Sequence, residues 1–117
     1  MKIDKRLAFQ PLTFPYLSRF AVLKAARDGG GHAMRVELTL AGNLDLAGDV
    51  LRVSFVDVSE LKLGNLNSVA ACRLMVYDIS DRQIEGIRYR AVDEEERSFA
   101  LNCRGFEFSI VPDPQGR

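Results

Sequence analysis

Three features of the sequence have residue types and spacing that bear on chemistry: one histidine behind three glycines, two separated cysteines, and four consecutive acids. His32 follows Gly29-Gly30-Gly31. A Ser-His-Asp triad needs an imidazole base, and His32 is the only one in the chain. No G-x-S-x-G accompanies it, so no nucleophile elbow is formed. His32 therefore reads as an exposed turn residue, with a ligand contact as the alternative. The glycine run lacks the Gly-Lys-Ser/Thr that opens a phosphate-binding helix. Cys72 and Cys103 stand 31 residues apart with no C-x-x-C, which removes the usual redox and zinc-knuckle motifs. Both fall in apolar runs, where a thiol behaves as a small hydrophobe. Buried reduced thiols are expected rather than a disulfide. No catalytic residue, cofactor or metal site is expected.

Asp93-Glu94-Glu95-Glu96 is the most distinctive polar run. Four adjacent carboxylates repel, so they must stay solvated or meet cations. The plain expectation is a charged hairpin tip that discourages edge pairing. The sharper one is a patch that docks onto a basic protein. Calcium is a third option, but the run lacks alternating ligands and a glycine turn. Glu85 paired with one of these glutamates would need a defined separation and a buried partner to act as an acid–base pair. Arg88 and Arg90 share one strand face, and Arg52 belongs to the outward set of another. Such arginines bind anions or acidic partners, or pair across strands with glutamates, a pairing that Arg97 also invites. The candidate partner-binding set is Asp93, Glu94, Glu95, Glu96, Arg88 and Arg90.

The elements that must position these residues alternate with period two. Met34, Val36, Leu38 and Leu40 oppose Arg35, Glu37 and Thr39, as in a half-buried strand. Leu51, Val53 and Phe55 repeat the pattern, and its phase slips at Val56, which predicts a bulge there. Leu61 and Leu63 continue beyond the slip. Cys72, Leu74 and Val76 form an apolar row, but Met75, Tyr77 and Ile79 opposite are also apolar, which predicts a central strand covered on both sides. Ile87, Tyr89 and Ala91 alternate with Arg88 and Arg90. Phe99, Leu101 and Cys103 precede Phe106, Phe108 and Ile110 in the opposite parity. Gly105 at the switch marks a bulge or a tight turn.

Ser80-Asp81-Arg82-Gln83 matches a capping box, Ile79 and Ile84 a hydrophobic staple, and Gly86 a stop. One short helix is expected near 80–86. Residues 16–27 read as a strand leading into a glycine turn in preference to a helix capped by Gly29. Seven to nine strands at this spacing imply an antiparallel sandwich, a curved sheet or a small barrel. The expected organisation is one domain over 1–117, with an irregular arm at 1–15 around Pro11 and Pro15 and a frayed tail at 112–117.

Composition excludes more than it identifies. The 117 residues carry 16 Lys+Arg against 16 Asp+Glu, with 47% hydrophobic residues. This is an ordinary globular balance. Zero net charge argues against nucleic acid, whose phosphates demand surplus cation. No apolar run approaches the ~18 residues of a membrane helix, and the N-terminus lacks a secretory apolar stretch. A soluble cytoplasmic protein is expected.

From Leu51 to Val111 the apolar rhythm is Phe55-x-x-Val58-x-x-Leu61-x-Leu63, then Gly86-Ile87-x-Tyr89-x-x-x-Asp93-x-Glu95, then Phe99-x-x-x-Cys103-x-x-Phe106. This resembles small bacterial β-rich families, some of them immunity proteins of polymorphic toxin systems. The resemblance covers about half the chain and carries no catalytic motif, so it transfers no functional residue. It implies a non-enzymatic module that neutralises a protein toxin. The alternatives are a small-ligand-binding β domain, which requires an interior cavity, and a structural homo-oligomer, with a homodimer the simplest form.

Overall fold

The computed structural model describes residues 14–26, 29–43, 48–64, 71–82, 85–95 and 97–112. Among these residues eight strands form in chain order: β1 (Tyr16–Ala26), β2 (His32–Ala41), β3 (Val50–Val56), β4 (Ser59–Leu63), β5 (Leu74–Asp78), β6 (Tyr89–Asp93), β7 (Phe99–Cys103) and β8 (Gly105–Val111). They build two antiparallel four-stranded sheets. The first has the order β1-β2-β3-β8 and the second β4-β7-β6-β5. Of the three architectures expected, this is the open two-sheet arrangement, not a closed barrel. No helix among the described residues is long and apolar enough to cross a membrane.

Period-two patterning explains the layering. Val36, Leu38 and Leu40 on β2, and Leu51, Val53 and Phe55 on β3, are buried in a common core with Ala91, Phe99 and Leu101 of the second sheet. Aromatic rings tie the layers together. Phe20 meets Phe99 at 5.3 Å between centroids, and Tyr89 meets Phe106 edge-on at 5.1 Å and 88°. Each fully buried ring of this size contributes roughly 1.5–3 kcal/mol by leaving water. The inward rows are bulky: Phe55, Phe99 and Leu101 are among the largest fully buried side chains.

The two phase breaks in the sequence are one structural feature. Val56 pairs with Gly105 at the end of the β3–β8 ladder. There the chain leaves the first sheet for β4 and re-enters it from β7. Asp57 takes φ +52° to make the turn, and the Val58 N–H donates to the Met34 carbonyl at 2.9 Å. Arg104 N–H donates to the Val56 carbonyl at 3.1 Å. Each parity switch is thus a change of sheet. A bulge occurs later, between Ser59 and Lys62, where Glu60 has φ +53°.

Other expectations are refined by tertiary context. Residues 16–26 are a strand, paired with β2 along its length. The short helix near 80–86 is a single 3-10 turn, Ser80–Arg82. Its Ser80 N–H and hydroxyl both donate to Asp78 Oδ1, at 2.9 and 2.6 Å, so Asp78 serves the turn; Gln83 and Ile84 lie outside the described residues. β5 is not central but lies at the edge of its sheet. Met75 and Ile79 are nonetheless buried, so their row is not an exposed patch. Both cysteines are free and buried. Of the predicted arm and tail, only Phe14, Pro15 and Pro112 fall within the described residues.

Candidate functional site

The β6–β7 connection carries the acidic run, and its three described acids, Asp93, Glu94 and Glu95, are not alike. Tyr89, Ala91 and Asp93 share the inward parity of β6, with burial pattern buried, half-buried, buried, half-buried, buried along the strand. Asp93 is 0% exposed. Its Oδ1 accepts from the amides of Arg73 at 3.0 Å and Glu95 at 2.9 Å. Its Oδ2 accepts from the Ser98 amide at 3.2 Å and the Ser98 hydroxyl at 2.6 Å. Ser98 is itself buried. The expectation that all four carboxylates are solvated or meet cations is therefore corrected for Asp93: backbone and hydroxyl donors stabilise its charge inside the fold. Burial pushes its pKa up, but the hydrogen bonds from Ser98, Arg73 and Glu95 outweigh burial and hold it below the usual aspartate value.

Asp93 thereby gives the turn a fixed shape. The bond to Glu95 N–H is an Asx-turn, in which the side chain imitates a backbone acceptor. The Glu94 N–H donates to the Arg73 carbonyl at 2.9 Å, fastening the turn to the segment before β5. Glu94 and Glu95 are exposed at this turn; Glu96 lies outside the described residues. The Tyr77 hydroxyl on β5 donates to the Glu94 carboxylate. That bond, with burial and the charge of Glu94, raises the Tyr77 pKa against the opposing pull of Arg73.

Beside the turn, the outer face of the second sheet forms an open groove of about 560 Å³. Lys62 of β4, Arg90 of β6 and Arg97 of the turn supply cations, and Val92, Ala100 and Leu63 supply apolar surface. The ladder brings these together, because Lys62 pairs with Ala100 and Ala100 with Val92. Arg90 Nη1 donates to Asn102 Oδ1 at 3.3 Å. Arg97 has φ +54°, a conformation that costs a residue with a Cβ roughly 1–2 kcal/mol. Gly64 closes the groove's end through its N–H bond to the Ser98 carbonyl at 2.7 Å. A Cβ there would lie 2.9 Å from the Arg97 carbonyl oxygen, so glycine is required.

The structure separates other residues that the sequence grouped. Arg88 precedes β6 and is exposed at the end of the strand opposite the turn, its guanidinium 5.3 Å from the Tyr89 ring centre. At about 3.3 Å per residue it stands roughly 20 Å from Glu94. Glu85 is exposed at that far end too, away from Glu94 and Glu95. Arg52 belongs to the other sheet, on an outer face shared with Arg19, Glu37 and Glu107. His32 is exposed at the start of β2. Among the described residues no three metal-ligating side chains converge. The groove cation Lys62 and the acceptor role of Asp93 were not singled out from sequence. The inward parity of Asp93 and the serine five residues on were the available signals.

No curated protein and no solved structure shows significant similarity to the chain. A family model does match, that of immunity protein PIM8, over residues 1–109. That span takes in all of the site described above, and the chain belongs to this immunity protein family.

Proposed function

We propose that the protein neutralises a protein toxin by binding it, without chemistry of its own, and that the β6–β7 turn presents the contact. Membership of an immunity protein family is the observation that carries this reading. The geometry of the β6–β7 turn supports this choice of contact. Among the described residues four hydrogen bonds converge on the Asp93 carboxylate and brace the turn, which supports display of Glu94 and Glu95 at little further ordering cost. A displayed acidic turn fits a basic partner surface. Charge complementarity of this kind mainly accelerates encounter, so salt should weaken binding.

The test uses the full chain as bait in the lysate of its native cell, at low and high salt. The reading requires one stoichiometric basic protein that is released by salt. That protein must arrest growth when expressed alone and cease to do so with the bait co-expressed. Neutralising the turn with Glu94→Gln, Glu95→Gln and Glu96→Gln should slow association about tenfold or more. Association as fast as wild type would remove the acidic turn from the mechanism, and a partner that is not toxic would remove the immunity reading.

A further inference from the structure

The groove beside the acidic turn has the opposite charge to the turn itself. Lys62, Arg90 and Arg97 line it, and the one exposed carboxylate among its lining residues is Glu94. The carboxylate of Asp93 at its edge is buried and already accepts four hydrogen bonds. Among the described residues none of the three cations lies in an ion pair. Cations on a sheet face usually find carboxylates across the strands. Here the cross-strand neighbour of Lys62 is Ala100 and those of Arg90 are Asn102 and Tyr77, none of them a carboxylate. Between the cations lie Val92 and Ala100, and Leu63 at the rim is 52% exposed. Arg97 is held in a strained backbone conformation by the same turn that Asp93 fixes. Strain of this kind persists only where the surroundings impose it, and it gathers at contact sites.

We infer that this groove receives an extended acidic segment of the partner protein, its carboxylates on Lys62, Arg90 and Arg97 and an apolar side chain against Leu63, Val92 and Ala100. The inference rests on the binding role proposed above and names the chemistry of a second contact. Charge complementarity selects the occupant: a basic segment would meet three cations. The groove volume, about 560 Å³, lies within the range that holds small ligands and side chains. The groove also abuts the acidic turn through Glu94, so one partner can present basic residues to the turn and acidic residues to the groove. Such a two-signed surface discriminates between partners better than one sign alone, because a mismatched partner meets repulsion at one contact or the other.

The experiment needs no toxin. A fluorescein-labelled pentapeptide, Glu-Ser-Val-Ser-Glu, which when extended turns both carboxylates and the valine to one face, is titrated with the full chain at low salt and followed by anisotropy. The lysine–valine counterpart serves as control. The acidic peptide should bind at least tenfold more tightly than the basic one. Arg90→Gln with Arg97→Gly should weaken it at least tenfold, as should Lys62→Gln, a change at an exposed side chain that leaves the core intact. Glu94→Gln with Glu95→Gln should leave affinity unchanged or raise it. Amide resonances of Lys62, Leu63 and Ala100 should shift on titration. Failure of the acidic peptide to bind, equal binding of both peptides, insensitivity to loss of the cations, or resonance shifts confined to the other sheet would each overturn the inference. None of these results would touch the turn reading, which is tested by the glutamine variants against the captured partner.

Discussion

Replacing Asp93 with asparagine tests the proposal that one buried carboxylate organises the turn. Asparagine keeps a carbonyl oxygen that can serve the Arg73 and Glu95 amides, at Oδ1 in the wild type. It loses the second acceptor and sets an N–H2 against the Ser98 amide and hydroxyl, which now lie 3.2 and 2.6 Å from Oδ2. Hydrogen bonds to a charged group contribute about 1.5–3 kcal/mol each, and a buried donor left unmet adds a penalty. The loss at neutral pH should therefore be about 3 kcal/mol or more. For a domain of roughly 100 residues this lowers Tm by ~12 °C or more. The pH dependence gives a second readout. The folded pKa of Asp93 is depressed, so the unfolded chain takes up the proton first as pH falls. Its contribution is complete above about pH 4, the unfolded aspartate value, and disappears as pH falls through the folded pKa. Asparagine has no proton to gain. Thermal melts by circular dichroism from pH 7 to pH 2 should show the two proteins far apart at neutral pH and converging in acid. A gap under about 1 kcal/mol at pH 7, or one that stays constant down to pH 2, would refute the reasoning.

Four further outcomes are expected. Gly64→Ala forces a Cβ to 2.9 Å from the Arg97 carbonyl oxygen and should cost about 1–3 kcal/mol in denaturant unfolding; an unchanged midpoint would mean that β4 moves freely. Arg97→Gly relieves a positive φ while loosening the unfolded chain, and the two effects nearly cancel, so Tm should stay within about 4 °C of wild type. Phe99→Ala removes a ring that is 1% exposed and packed on Phe20, and should cost about 3–5 kcal/mol by chemical denaturation; less than ~1 kcal/mol would mean that the sheets are not pinned there. Burial pushes both thiols up to about 12, with the charge of Asp93 adding to the effect at Cys72 and the Gly105 amide opposing it at Cys103. A disulfide reagent at pH 8 should therefore spare the native protein and label two thiols once guanidinium unfolds it; fast native labelling would contradict their burial.

The sequence determined the elements because period-two alternation is a local property of a strand that buries one face. It placed β2, β3, β6 and β7, the β6–β7 turn with Glu94 and Glu95 exposed, and the burial of both cysteines. Its rhythm also pointed to the family that the chain proves to belong to. Two phase breaks, at Val56 and Gly105, were legible as irregularities, but only the paired strands showed that both mark one corner where the chain changes sheet. The same limit applies to charge. In sequence Asp93 opens a run of four acids, in the inward parity of the strand before it, and Arg88 and Arg90 are neighbours on one face. Burial depends on which strands close over a residue, and proximity depends on pairing across the sheet. Those long-range contacts took Asp93 into the interior, left Arg88 at the far end of β6, and brought Lys62, Arg90 and Arg97 around one groove.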